Sequence, residues 1–308
     1  MSENSISIVA PAYNHENYIK TCLESIASQE IPNMELIIID DVSKDNTCKV
    51  IEELVQDKKF SSKFENGITF IKHETNKGAF YTLNEGLRMA SGKYLTMVNT
   101  DDYYGENRLK LLLDACENNN TDFAFGGIKV VDQNNQPVEA GYGKEIMKYQ
   151  YLIEKCPTVS MALARGNSTI STGNMMFSRK LYEQLKGFGN YKYVHDWDFA
   201  LRASLVTEPS YVRDAKYYYR IHTGNTIAEI SQENKNPDAL EKPENGKTVG
   251  INPLVMYFIN ILNEKYTNKK IPPVQAWEYF VNCKKYYYDD DTIVWAWTQA
   301  KKLKDMYK

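Results

Sequence analysis

Short apolar runs alternate with amphipathic stretches over the first hundred residues. Residues 6–10 are a β-branched run stopped by Pro11 and read as a strand buried on both faces. Over 17–29 the apolar positions Tyr18, Cys22, Leu23, Ile26 and Ala27 recur at helical spacing. A second buried strand, 36–39, ends in Asp40 and Asp41, and a helix over 43–57 follows with Ile51, Leu54 and Val55 facing inward and Asp45 as candidate cap. Residues 68–71 give a third strand, 78–90 a third helix, and 94–98 a fourth strand that delivers Asn99-Thr100-Asp101-Asp102.

Strand–helix alternation at this pitch predicts an α/β fold, a mostly parallel central sheet flanked by helices. Ligands of open parallel sheets bind beyond the carboxyl ends of the strands. Residues 11–14, the Asp40-Asp41 pair and residues 99–102 all sit at such ends, so three polar clusters share one rim.

Past residue 120 the pattern loosens. Residues 123–131 read as a strand pair, 170–177 and 211–221 as strands, and 181–185 and 198–205 as helices. Residues 229–250 are dominated by Asn, Lys, Glu and Pro and read as a mobile loop or linker. Ile251, Leu254, Val255, Phe258, Ile259 and Leu262 then make a helical stripe, and two further helices carry Trp277 and Trp297. The expected organisation is a catalytic domain over 1–228 (halves 1–102 and 103–228), a linker over 229–250 and a helical extension over 251–308.

Composition narrows the function classes. A formal net charge of −3 over 308 residues lacks the basic excess that a bulk grip on nucleic acid needs, so no nucleic-acid partner is expected. The five cysteines are odd in number, far apart and without a Cys-x-x-Cys, which fits a reducing compartment. Neither a signal-like N-terminus nor a run of roughly 20 apolar residues occurs. A cytoplasmic protein is expected. The C-terminal tryptophans and basic end (Lys301, Lys302, Lys304, Lys308) suggest either packing onto the catalytic domain or contact with a partner or the inner membrane face.

Each candidate site residue has a plain alternative. Adjacent carboxylates such as Asp101 and Asp102 repel each other unless a cation sits beside them, and hard divalent ions take oxygen ligands; the alternative is a solvated turn capping the next helix. Asp40 and Asp41 suit hydrogen bonds to a nucleobase or ribose, or merely cap. Pro11-Ala12-Tyr13-Asn14 offers an aromatic face and an amide, or is a turn. Asp196, in His195-Asp196-Trp197-Asp198, sits at a helix N-terminus, which stabilises anions. It should therefore stay ionised and able to act as a base, unless it serves only as a cap; Asp198 points elsewhere on the helix and reads as structural. His15, His73 and His195 have no partner at metal-ligand spacing and are read as structural.

Together these pieces resemble the family-2 glycosyltransferases with the GT-A fold. The resemblance is carried by Val9-Ala10-Pro11-Ala12-Tyr13-Asn14, Ile38-Ile39-Asp40-Asp41-Val42-Ser43, Asn76-Lys77-Gly78 and Leu83-Asn84-Glu85-Gly86. It continues through Thr100-Asp101-Asp102, Gly173-Asn174, Asp196-Trp197 and Arg220-x-His222, so that it spans roughly residues 5 to 226. It implies an inverting transfer from a nucleotide-diphosphate sugar, with UDP preferred, to a hydroxyl of a glycan or lipid-linked glycan. It also implies a divalent cation, Mn²⁺ or Mg²⁺, held by Asp101, Asp102 and His222. Donor contacts would come from Pro11, Tyr13, Asn14, Asp40, Asp41, Lys77, Asn99 and Asp101, with Asp196 as catalytic base. The usual Asp-x-Asp-Asp has Asn99 at its first position, which leaves both aspartates as candidate ligands, and His195 stands where an acidic residue commonly precedes the base. A sugar nucleotidyltransferase would place a Gly-rich basic loop after the first strand, and 11–17 contains neither glycine nor a basic residue. A non-catalytic nucleotide-sugar-binding scaffold would have lost the base or the metal aspartates, and Asp101, Asp102 and Asp196 are all present.

Overall fold

A computed structural model describes residues 5–222 of the chain, apart from 157, 190–194 and 205. The expected linker over 229–250 and extension over 251–308, including Trp277, Trp295 and Trp297, lie outside the described residues.

In chain order the elements are β1 (Ile6–Ala12), α1 (Ile19–Ala27), β2 (Met34–Asp40), α2 (Thr47–Gln56), α3 (Lys58–Ser61), β3 (Ile68–Lys72), α4 (Ala79–Met89), β4 (Tyr94–Met97) and β5 (Tyr103–Tyr104). They continue with α5 (Arg108–Asn118), β6 (Phe123–Val131), α6 (Tyr142–Lys155), α7 (Val159–Arg165), a 3₁₀ turn (Thr172–Asn174), β7 (Met175–Ser178), α8 (Arg179–Leu185), α9 (His195–Ser204) and β8 (Ser210–Arg220). One eight-stranded sheet has the order β3-β2-β1-β4-β7-β6-β8-β5. The β3-β2-β1-β4 half is parallel throughout, β6 pairs β8 in parallel, and β7 runs antiparallel between β4 and β6.

The strands alternate between two cores. Ile6, Ile8, Ala10, Leu36 and Ile38 face one apolar layer with α1 and α5 residues, whereas Val9, Ile37, Ile39, Leu95 and Met97 face the other with α4 and α9 residues. Burial on both faces explains why these strands read as continuous apolar runs. Ser7 is the polar member of β1; its hydroxyl meets Glu35 and accepts from the Gly92 amide, so it is fully buried with its polarity satisfied.

Several boundaries differ from the sequence reading: α9, expected over 198–205, starts at His195 and α2, expected over 43–57, starts at Thr47, and three further differences concern the strands. β1 runs through Pro11 to Ala12, because the β4 ladder already ends at the Val9–Met97 pair and the missing N–H of proline faces that vacated side. Residues 123–131 are one strand rather than a pair, with an irregularity between Gly126 and Ile128. Residues 170–177 divide into the 3₁₀ turn and β7, since the Ser171 hydroxyl accepts from the Gly173 amide and closes a turn.

Candidate active site

The loops after β1, β2 and β4 meet on one rim and are stitched by side chain–backbone bonds. Asn14 accepts from the Lys44 amide at 2.7 Å and donates its own amide to the Ser43 hydroxyl. Asp45, expected to cap α2, stands one residue before its N-cap Asn46; it accepts from the Glu16 amide with one oxygen and from the Thr47 amide and hydroxyl with the other, and so ties the start of α2 to the first loop. Val42 (φ 67°) and Ile170 (φ 68°) are β-branched residues in the left-handed region. Such residues cost about 1–3 kcal/mol each and concentrate at functional loops. Both flank this rim, one next to Asp41 and one next to Ser171.

Asp41 organises the loop before α4. Its carboxylate accepts from His73 Nδ1 (2.7 Å), the Lys77 amide (2.8 Å) and the Gly78 amide (2.7 Å). Burial alone would raise its carboxyl, but these hydrogen bonds outweigh it and hold the pKa below the ordinary value. Asp40 is buried and accepts from the Ser43 amide; beside it the Cys48 thiol is pushed up to about 12 by burial and by its bond to Asp40. Tyr13 is 42% exposed, so its ring is open for stacking. The Lys77 ammonium pairs with Glu85 at 2.9 Å.

The Asp101-Asp102 turn shows a division of labour. Asp102 is buried and spends both oxygens on protein donors: Oδ1 accepts from the Arg220 amide (2.7 Å), and Oδ2 from the Tyr217 hydroxyl (2.7 Å) and Asn99 Nδ2 (3.3 Å). Asp101 turns the other way, with Oδ2 3.0 Å from His222 Nε2. Burial and the Asp101 charge push the Asp102 carboxyl well up. On Asp101 burial is outweighed by the His222 hydrogen bond and the two nearby imidazoles, and its carboxyl is held down. Arg220, itself buried, clamps the turn by donating Nε to the Asp101 carbonyl while its guanidinium lies over the Tyr18 and Tyr103 rings.

His15 reads as structural from its sequence spacing, yet the fold carries it to this turn. Ligand atoms of His15, Asp101 and His222 lie within 4.8 Å of one another. An ionised carboxylate between two imidazoles is a donor set that fits a divalent cation. The pairing spans more than 200 positions, so no local spacing signalled it.

Asp196 opens α9 and is buried. Its Oδ1 accepts from the Trp197 amide and its Oδ2 from Asn167 Nδ2, both at 2.8 Å. Burial is the largest influence and raises its carboxyl above the ordinary value, partly offset by His195, Asn167 and the Trp197 amide. A helix N-terminus by itself favours the anion and would lower the carboxyl; desolvation outweighs it. Asn167 escaped the sequence reading, although it is the residue that orients the carboxylate. Asp198 pairs with Arg202 at 2.6 Å and is structural, as expected from its direction on the helix.

The segment 167–174 joins the two acidic centres. Asn167 holds Asp196, Thr172 Oγ1 lies 3.1 Å from His195 Nε2, and Ser171 Oγ accepts from Asn99 Nδ2 at 3.0 Å. Asn174 anchors the segment from beneath, bonding Gly126, the Thr169 carbonyl and the buried Arg108. Among the described residues no helix is long and apolar enough to cross a membrane.

Known proteins resemble this chain in sequence and fold. The family model described as "Glycosyl transferase family 2" matches residues 7–186. Glycosyltransferase GlyA of Streptococcus pneumoniae is 27% identical over 233 residues, covering 72% of this chain and 31% of that protein. UDP-Glc:alpha-D-GlcNAc-diphosphoundecaprenol beta-1,3-glucosyltransferase WfgD of Escherichia coli is 31% identical over 157 residues, 51% of this chain and 58% of that protein. The chain thus spans only about a third to three fifths of these curated relatives. Among solved structures, S. aureus TarS 1–349 in complex with UDP-GlcNAc superposes with a TM-score of 0.63 at 20% identity, covering 92% of this chain and 73% of that one. That likeness is one of fold, and the fold is the GT-A arrangement.

Proposed function

The chain belongs to glycosyl transferase family 2, and from that membership we propose that it transfers a sugar, with inversion, from a UDP-sugar to a hydroxyl of a glycan or lipid-linked glycan. The nucleotide is suggested by the UDP-Glc in the name of WfgD and the UDP-GlcNAc bound to TarS, and the acceptor class by the name of WfgD. The observation that carries the reading is the 167–174 segment, which bonds Asn99 at one end and Asp196 at the other, so that one rim holds an anionic turn and a separate buried carboxylate.

In this reading residues 1–102 form the donor half and 103–228 the acceptor half. Tyr13 and Pro11 provide a stacking surface for the base. Asp40 and Asp41, with Asn14, Lys77 and Asn99, shape the base and ribose pocket, Asp41 by folding 77–78 against β2. Asp101 and His222 are the residues that would hold a divalent cation, with Asp102 keeping the turn in place. Such an ion, when bound, neutralises charge on the diphosphate leaving group, worth several kcal/mol. Asp196 takes the proton from the acceptor hydroxyl as that oxygen bonds the anomeric carbon and the diphosphate departs. One base and a leaving group on the opposite side give a single displacement with inversion.

The test is nucleotide release from a panel of nucleotide sugars with Mn²⁺, Mg²⁺ or EDTA. Release is expected from a UDP-sugar, to require a divalent ion, and to fall at least about 100-fold in Asp101→Asn, as loss of several kcal/mol demands. EDTA-insensitive release undiminished by Asp101→Asn would refute it.

A further inference from the structure

His15 is held as metal-binding histidines are held. Its amide donates to Thr47 Oγ1 at 2.8 Å, and its carbonyl accepts from the Tyr18 and Ile19 amides, so the backbone is fixed on three sides. Its ring is fixed too. The Thr100 hydroxyl donates its one proton to the Pro11 carbonyl at 3.0 Å, so towards His15 Nδ1, 2.7 Å away, it accepts. Nδ1 therefore carries the hydrogen and Nε2 the lone pair. A hydrogen bond that fixes the tautomer and aims the other nitrogen is the usual support of a ligating imidazole. Its ring meets that of His222 edge-on, centroids 6.2 Å apart, with Asp101 close enough to complete a three-donor cluster.

We propose that His15 is a third protein ligand of the divalent ion and the residue that sets its metal preference. The inference rests on the reading that Asp101 and His222 hold that ion. Without His15 the protein would offer one oxygen and one nitrogen. With it the set becomes two imidazoles and one carboxylate. Imidazole suits the later first-row ions best; Mn²⁺ also takes oxygen readily but accepts a nitrogen donor more easily than Mg²⁺, which favours oxygen and keeps its waters. The site is thereby biased towards Mn²⁺ and its neighbours over Mg²⁺.

The experiment measures Mn²⁺ binding to the full chain by electron paramagnetic resonance, with Mg²⁺ as competitor and electron spin echo modulation to detect coordinated nitrogen. The wild type is expected to show two coupled imidazole nitrogens. His15→Ala should lose one of them and bind Mn²⁺ about 10- to 100-fold more weakly, with a much smaller change for Mg²⁺. His15→Glu, which offers oxygen instead, should lower the Mn²⁺:Mg²⁺ affinity ratio relative to wild type. If His15→Ala keeps both nitrogens and its Mn²⁺ affinity, or only melts earlier, His15 is a structural pin and the proposal is overturned. Absence of Mn²⁺ binding in the wild type would overturn the metal reading as well, a result distinct from failure at His15 alone.

Discussion

Replacing Asp196 by Asn tests the assignment of the base with little change of shape. The carboxylate spends Oδ1 on the Trp197 amide and Oδ2 on Asn167. The Asn167 amide cannot flip to suit a new partner, because its Oδ1 already accepts from Thr169 Oγ1 and the Ile170 amide. In the variant the new Oδ1 must serve Trp197, so two NH₂ groups face each other where one hydrogen bond stood. That loss, about 1 kcal/mol, is opposed by relief from burying a charge, so the melting temperature should move by no more than about 4 °C. Activity should move far more. A positioned general base contributes about 10²- to 10⁴-fold, or roughly 3–5 kcal/mol at about 1.4 kcal/mol per decade. The assay is kcat/KM for transfer across pH. Because the base must be ionised and burial raises its pKa, wild-type activity should climb with pH above the ordinary aspartate range of about 3.9. His195 lowers that pKa, so His195→Gln should displace the rising limb to higher pH. If Asp196→Asn kept more than about a tenth of the wild-type rate, or the same rising limb, the assignment would be wrong.

Two further outcomes concern the scaffold. Asp41→Asn leaves amide donors at 77 and 78 poorly matched and should cost about 1–3 kcal/mol at pH 7 by urea unfolding. Since the folded pKa of Asp41 is depressed, its ionised form stabilises above the unfolded value near 3.9 and that contribution fades as pH falls below it. The variant should therefore show a shallower loss of stability in acid, and an unchanged acid limb would count against the assignment. Gly173→Ala would place a Cβ 2.0 Å from the Tyr217 hydroxyl that bonds Asp102. Overpacking of this kind costs about 1–3 kcal/mol, and Mn²⁺ affinity should fall with the displaced turn; unaltered melting and Mn²⁺ binding would show that the phenol has room to move.

What the sequence determined by itself was everything encoded at short range. Apolar runs of four to seven residues, helical stripes and polar strand ends sufficed for the parallel half of the sheet and for placing Asp40-Asp41 and Asp101-Asp102 on its carboxyl rim, because burial and the right-handed crossover are local rules. Past residue 120 those rules weakened, since β7 enters antiparallel between strands distant in the chain, and no periodicity reports which neighbour a strand chooses. Only the tertiary structure decided how the acidic residues divide their tasks. The phenol of Tyr217 and the amide of Arg220 occupy Asp102, Asn167 aims Asp196, and His15 meets His222 across more than 200 positions. Each of these depends on the distance and burial of groups far apart in the chain, and the electrostatics that follow from burial changed even the sign of the shift at Asp196.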